Sequence, residues 1–233
     1  MPDGTYRDRR RAGRIPGPPE KTRDVAIEIP RGTVAGTLSV PEEAGGLVIF
    51  AHGTGSGRHS PRNRAVAAEL NGAALSTLLL DLLTPEEEAR DRRTAALRFD
   101  IRLLTERVLA AVDWAAGRPE TASLPVGLFG ASTGGAAALA AAASSRAVRA
   151  VVLRGGRPDL AGEALPGVRA PTLMIVGGED RVVLELNREA CAAMTAECRV
   201  DVIPGATHLF EEPGALEQVS RLAGDWFTRY LGP

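Results

Sequence analysis

A single serine lies between glycines in the segment VGLFGASTGGAAAL, residues 126–139. The apolar start of this segment is typical of a buried strand and its alanine-rich end is typical of a helix, so Ser132 falls at the turn between them. A sharp turn of this kind exposes the serine hydroxyl, and the following helix points backbone N–H groups toward an anion. The pattern Gly130-x-Ser132-x-Gly134 is weak evidence by itself, because small residues also permit close strand–helix packing. Ser132 is therefore a candidate nucleophile whose partners must be found elsewhere in the chain.

A serine hydroxyl needs a general base, and the base needs a carboxylate that orients it. His208 stands in PGATHLF, directly after the last predicted strand, and Asp180 stands in VGGEDRVV, after the strand before it. Reactive groups gather at the carboxyl ends of parallel strands, and all three residues fall there. The chain order serine, aspartate, histidine also matches a known catalytic order. We predict a catalytic triad of Ser132, Asp180 and His208.

Other residues could fill some of these roles. Glu179 is the neighbouring alternative to the predicted acid. Asp81 also ends a strand, where we expect it to cap a loop. His59 is expected in a polar loop, and His52 is expected to shape the loop that follows its own strand by hydrogen bonding.

Acyl transfer also requires donors for the oxyanion that develops on the carbonyl. The backbone N–H of Thr133, directly after the nucleophile, is the first predicted donor. The second should come from HGTGSG, the loop after the strand GLVIFAH, with Thr54 as the best position and Gly53 or Gly55 as alternatives.

Apolar runs of strand length alternate with helical patterns along most of the chain, which favours a mostly parallel sheet covered by helices on both faces. The predicted strands occupy residues 24–30, 34–41, 46–52, 75–83, 125–132, 148–156, 171–178 and 199–205. We expect an eight-stranded α/β fold in which the first two strands form an antiparallel edge. The segment 85–117 becomes periodic after a charged start and predicts a long amphipathic helix. The link at 155–170 is too short for a large cap domain.

The composition and net charge of the chain limit its domain organisation and the kinds of partner that it could bind. Residues 1–23 are rich in arginine and proline and predict a flexible basic tail, and residues 24–233 predict a single domain. A net charge of −1 gives no general attraction to nucleic acid or acidic membranes. No apolar run has the length of a signal peptide core or a membrane span, and no Cys/His cluster has metal spacing. Cys191 and Cys198 are predicted on one helix, too far apart for a disulfide, which suits a cytoplasmic protein.

These motifs together resemble the α/β-hydrolase superfamily, and within it the small hydrolases related to dienelactone hydrolase. The resemblance covers residues 24–231 and depends on VIFAHGTGSGRHSPRN, VGLFGASTGG, MIVGGEDRVVLELN and IPGATHLFEEPGALE, among other segments. It implies an α/β-hydrolase fold and cofactor-independent ester-bond chemistry. Dienelactone hydrolases proper use a cysteine nucleophile, whereas position 132 is serine, so the dienelactone substrate transfers poorly. The similar subgroup is sometimes joined to a phosphoribosyltransferase-like domain, which no segment of this sequence is expected to form.

We therefore predict a hydrolase that cleaves a carboxylic ester, thioester or lactone without metal or cofactor. An acyltransferase or cyclase with the same triad is one alternative, and a non-catalytic binding module is another. Loop arginines could form a rim that binds an anionic substrate, or they could be solvated or paired with the acidic run at 86–88. The candidates for that rim are Arg58, Arg154 and Arg157, with Arg62 beside them. The expected partner is a small molecule, and the chain could form a homodimer.

Overall fold

The computed structural model describes residues 21–232, so most of the predicted tail lies outside the described residues. The first strand, β1, runs over Lys21–Ile29 and begins three residues before the predicted domain boundary. It pairs antiparallel with β2, Gly32–Val40, in a hairpin whose register joins Ile29 to Gly32.

The eight strands form one sheet in the order β1-β2-β4-β3-β5-β6-β7-β8. The remaining strands are β3 Gly46–Ala51, β4 Leu75–Leu80, β5 Val126–Ala131, β6 Val148–Arg154, β7 Thr172–Gly177 and β8 Cys198–Ile203. β2 pairs antiparallel with β4, and every pair from β4 to β8 is parallel. Every residue of β3, β4, β5 and β7 is buried, as expected for strands covered on both faces. The predicted mostly parallel eight-stranded sheet with an antiparallel edge is confirmed.

Within the described residues 21–232, six α-helices cover the two faces of the sheet. They are α1 Pro61–Gly72, α2 Pro85–Thr94, α3 Ile101–Ala116, α4 Thr133–Ser144, α5 Arg181–Ala193 and α6 Ala215–Leu231. α1 and α6 pack together on one face over Phe50 and Phe129, while α3 and α4 pack on the other over Ile49 and Leu128. A short 3-10 segment, Pro158–Gly167, occupies the link after β6, so the predicted absence of a large cap is confirmed.

The helix predicted over 85–117 is broken in two. α2 begins with a capping box between Thr84 and Glu87 and ends at Ala95, which has a positive φ of 53°. The buried carboxylate of Asp91 accepts hydrogen bonds from the backbone N–H groups of Leu97 and Arg98, which turns the chain before α3 starts. The hydrophobic period alone could not reveal this long-range use of one aspartate.

The prediction that the two cysteines share a helix is wrong. Cys191 lies in the last turn of α5, whereas Cys198 is the first residue of β8, and the chain reverses between them. Their Cα atoms are 5.5 Å apart and the two form a disulfide. Cysteine usage therefore gives no support to a reducing compartment. Within residues 21–232, no helix has the length and apolar character needed to cross a bilayer.

Candidate active site

Ser132 occupies the tight turn between β5 and α4, with φ 50° and ψ −122°. Two residues away on either side of Ser132, neighbouring backbone approaches so closely that Gly130 and Gly134 accept no side chain. A Cβ atom at Gly134 would lie 2.2 Å from the carbonyl oxygen of Ala51, and one at Gly130 would lie 2.5 Å from Gly135 Cα. The glycines on both sides of the serine are thus required by packing, and the turn has the geometry of a nucleophile elbow.

His208 and Asp180 form a direct contact at the same edge of the sheet. Nδ1 of His208 lies 2.6 Å from Oδ2 of Asp180. Their loops are joined by backbone hydrogen bonds, because Gly178 N–H donates to the carbonyl of Ile203 and Glu179 N–H donates to that of Ala206. Since this contact is made by Asp180, and Glu179 is exposed, the neighbouring glutamate does not take the orienting position.

The turn after β6 lies between Ser132 and His208. The N–H of Ser132 donates to the carbonyl of Arg154 at 3.3 Å. At the next residue, Gly155, an added Cβ would lie 3.3 Å from both Cε1 and Nδ1 of His208. Among the residues that the structure describes, no hydrogen bond joins the Ser132 hydroxyl to the imidazole. In free enzymes such catalytic hydrogen bonds are often long and shorten in the substrate complex.

The two residues predicted to supply the oxyanion donors are in contact. Thr54 Oγ1 and Thr133 Oγ1 lie 2.9 Å apart, so the loop after β3 is tied to the first residue of α4. The same loop also passes close to the nucleophile, because a Cβ at Gly53 would lie 3.0 Å from Ser132 Cβ. The loop that carries Thr54 therefore borders the elbow.

His52 holds this loop in place. Its Nδ1 lies 2.9 Å from the carbonyl oxygen of Gly53, and its Nε2 accepts a hydrogen bond from the Leu82 N–H at 3.1 Å. The carbonyl can only accept and the N–H can only donate, so the ring is neutral with its proton on Nδ1. Burial lowers the pKa of His52, against weaker opposing effects of the Gly53 hydrogen bond and of nearby carboxylates. The ring thus links the loops after β3 and β4, which is the shaping role predicted for it.

A cleft of about 740 Å³ opens beside Thr54 and Thr133. One wall comes from the loop after β3 and the start of α1, and the other comes from α2 and the segments around it. The wall residues include Leu82, Leu83, Leu104, His59, Arg62 and Glu88. The cleft is therefore lined by both polar and apolar side chains and borders the residue that follows Ser132.

Two of the predicted anion-binding arginines are engaged elsewhere. Arg58 donates to Asp24 at 2.7 Å, to Thr37 at 2.9 Å and to Asp81 at 3.2 Å, while the Arg58 N–H also donates to Asp81. Asp81 therefore caps a loop, as predicted, and this loop is the one after β3. Arg157 makes a two-pronged contact with Asp159, at 2.8 and 2.7 Å. Both guanidinium groups thus have carboxylate partners within the protein, and the sequence could not show these partners.

Arg154 is different from the other two. It is the last residue of β6, it is 9% exposed, and its Nη1 is buried without a hydrogen-bond partner. No salt bridge to Arg154 occurs within the described part of the chain. In the same part of the chain, no cluster of His, Cys, Asp and Glu could hold a metal ion.

The family follows from comparison with known proteins. A model of the Dienelactone hydrolase family matches residues 38–229. The crystal structure of a dienelactone hydrolase from Anabaena variabilis is 54% identical, with a TM-score of 0.89, over 90% of this chain and 98% of that one. The chain belongs to the dienelactone hydrolase family.

Two further similarities support different conclusions: one shows the fold alone, and the other is a close sequence match to part of a longer protein. Est1E from Butyrivibrio proteoclasticus has a TM-score of 0.74 at 19% identity, over 88% of this chain and 98% of its own, which shows the fold alone. A Mycobacterium tuberculosis protein that carries the provisional name phosphoribosyl transferase is 57% identical over 99% of this chain. That match covers 52% of the relative, so the chain spans about half the length of these curated relatives that it matches.

Proposed function

We propose that the chain is a serine hydrolase that cleaves a carboxylic ester, thioester or lactone through an acyl-enzyme. Ser132 Oγ attacks the carbonyl carbon while His208 Nε2 takes the hydroxyl proton. The bond to the leaving group then breaks, and His208 returns that proton to the departing oxygen or sulfur. In the second half, His208 takes a proton from water, and the resulting hydroxide attacks the acyl carbon. The Ser132 oxygen leaves and recovers the proton from His208.

The contact between Asp180 and His208 is the observation that carries this proposal. A carboxylate on Nδ1 holds the imidazole in the tautomer whose Nε2 can accept a proton, and it stabilises the imidazolium that forms. The same ring borders Gly155, next to the backbone that binds the Ser132 N–H. A base that is already oriented beside an elbow serine is suited to acyl transfer, and a binding module has no need of it.

The oxyanion would be held by the backbone N–H groups of Thr133 and Thr54. Their side-chain hydrogen bond supports this assignment, because it fixes the loop after β3 against the N-terminus of α4. Each such donor is worth about 3 kcal/mol in the transition state. The helix N-terminus adds a favourable partial charge at the same place.

The transferase name of the mycobacterial relatives does not conflict with this chemistry. It is given to proteins of which this chain matches about half, and the family match lies within the shared half. A serine with an oriented histidine serves acyl chemistry, so we assign hydrolysis to the part that this chain represents.

The direct test is the variant Ser132→Ala with small neutral esters and lactones as substrates. We expect kcat to fall by roughly 10⁴-fold or more, while the folding of the protein is retained. Ser144→Ala, at the exposed end of α4, is the matched control and should leave kcat unchanged. A fluorophosphonate probe should label the wild-type protein and the control but not the Ser132→Ala variant. Full activity and labelling in that variant would rule out the proposed nucleophile.

A further inference from the structure

Two arginines near the proposed nucleophile have donor atoms that nothing in the described protein uses. Nη1 of Arg154 and Nε of Arg62 are both buried without a hydrogen-bond partner. Arg62 has one ion pair, to Glu211 at 3.1 Å, and that glutamate is 65% exposed. Arg154 has none among residues 21–232. Because a buried cation without a carboxylate partner is costly, the unpaired Arg154 points to a ligand that compensates its charge.

The two side chains lie on the same face of the sheet. Successive strand residues point to opposite faces, and in β6 Leu153 packs with α4 while Val152 packs on the side of α1 and α6. Arg154 therefore points to the side of α1, where Arg62 is the second residue of that helix. The two charges also influence each other: burial, and to a lesser extent the charge of Arg62, lower the pKa of Arg154 to about 10.

The start of α1 adds a second feature that favours an anion. Helix N-termini carry partial positive charge and prefer acidic side chains. The first turn of α1 has no acidic residue and contains Arg62 instead. Positive charge is thus concentrated at this point: one helix N-terminus, one partly paired arginine and one unpaired buried arginine.

Arg62 and Arg154 each border the proposed active site. Arg62 lines the cleft that also contains Thr54 and Thr133. The backbone carbonyl of Arg154 accepts the Ser132 N–H. A group held between the two arginines would therefore belong to a molecule whose other end can reach the serine.

We propose that Arg62 and Arg154 form a subsite for a dianionic oxyacid group of the substrate, with a phosphate monoester as its chemistry. The inference rests on the proposed function, since it names the substrate class of the same site. A phosphate monoester has three terminal oxygens that share two negative charges, so it can accept hydrogen bonds from the unused donors of both guanidinium groups at once. A single carboxylate has two oxygens, and a two-pronged contact with Arg154 would leave neither of them for Arg62.

Binding is tested apart from catalysis, with inorganic phosphate titrated calorimetrically into the full chain carrying Ser132→Ala. We expect saturable binding that weakens at least tenfold when Arg154→Met or Arg62→Met is added. Arg149→Met, at an exposed position of the same strand, is the control and should leave the affinity unchanged. No saturable binding, or binding that both arginine variants retain, would overturn the subsite. Acetate or succinate binding as tightly as phosphate would overturn the assignment to a phosphate group.

A stability measurement separates a binding role from a structural one. Without ligand, Arg154→Met should melt at or above the temperature of the parent protein, because it removes an unpaired buried charge. Phosphate should raise the melting temperature of the parent but not of this variant. A variant that unfolds at lower temperature would show that Arg154 supports the fold instead. Neutral-ester hydrolysis with Ser132 intact reports on the proposed function independently of all these outcomes.

Discussion

Ser132 is held in a backbone conformation that residues other than glycine rarely adopt. Such conformations cost about 1–3 kcal/mol and persist where neighbouring structure enforces them. Here the Ser132 carbonyl accepts hydrogen bonds from the N–H groups of Gly135 and Arg157, and the Ser132 N–H donates to Arg154. Both backbone groups of the serine are thus fixed, which leaves its hydroxyl as the free part.

This strain predicts a difference between two inactive variants. Ser132→Gly should have a free energy of unfolding about 1–2 kcal/mol higher than Ser132→Ala, because glycine tolerates the positive φ and alanine does not. Urea denaturation of both variants measures the difference. Equal stabilities, or a less stable glycine variant, would mean that the turn is not strained.

His52 predicts how stability depends on pH. Its folded-state pKa is lowered by burial, so below about pH 6.5 the unfolded chain binds a proton that the folded chain does not. Stability should therefore fall with decreasing pH below that value, by at most about 1.4 kcal/mol per pH unit from this group. The carboxylates of Asp81 and Glu88 raise the pKa of His52, and they therefore narrow the pH range over which this group lowers stability.

The check is the difference in urea unfolding between the wild type and His52→Gln at pH 5 and pH 7.5. The variant lacks the titrating group, so its stability should change less between the two pH values. Substitution of the exposed His59 by glutamine should preserve the wild-type difference. If the His52→Gln and wild-type proteins lose equal stability on acidification, burial of this ring is not the cause.

At the scale of elements, the disulfide connects the far ends of the two segments that carry Asp180 and His208. Asp180 directly precedes α5 and Cys191 lies in the last turn of that helix, about 16 Å away at 1.5 Å per residue. Cys198 opens β8, and His208 follows the end of that strand. The disulfide thus lies near the amino-terminal end of β8, whereas the proposed chemistry takes place at the carboxyl ends of the strands.

Reduction should therefore affect stability and leave the chemistry intact. The closed loop is short, so its loss should lower the free energy of unfolding by about 2 kcal/mol, with kcat on a neutral ester changed less than twofold. Urea unfolding with and without a thiol reductant measures this in the wild type. The paired variant Cys191→Ser with Cys198→Ser should match the reduced protein and should not respond to reductant. A large loss of kcat on reduction would mean that the link positions the histidine.

Local patterns were sufficient for the elements that carry the candidate site. Ser132, Asp180 and His208 each follow a short apolar run, and the parallel topology then requires all three to meet at one edge. Contacts remote along the chain were beyond such patterns. Arg58 is paired with Asp24, 34 residues away, and the break before α3 depends on the buried side chain of Asp91. The disulfide was missed for a similar reason, because the turn at 194–197 has no glycine or proline to mark it.

At the scale of the whole molecule, the antiparallel edge is joined to the parallel sheet by side chains as well as by strand pairing. β2 pairs with β4 over four residues, and Arg23 in β1 pairs with Glu120 after α3. Arg58 forms the second attachment, since its guanidinium reaches Asp24 in β1 and Thr37 in β2. The loop after β3 is therefore anchored to the sheet edge at Arg58 and to the elbow at Thr54.

Removal of the Arg58 guanidinium should loosen this edge without changing substrate choice. Arg58→Met should lower the free energy of unfolding by about 1–2 kcal/mol, mainly because the bond to the half-buried Asp81 is lost. Hydrogen exchange in β1 should accelerate more than in β5, because β1 is the edge strand that the contact to Asp24 holds. The ratio of kcat/KM for anionic and neutral esters should stay as in the wild type, whereas Arg154→Met should change it. A shift of that ratio in Arg58→Met would return Arg58 to the substrate-binding set, and unchanged exchange in β1 would remove its proposed anchoring role.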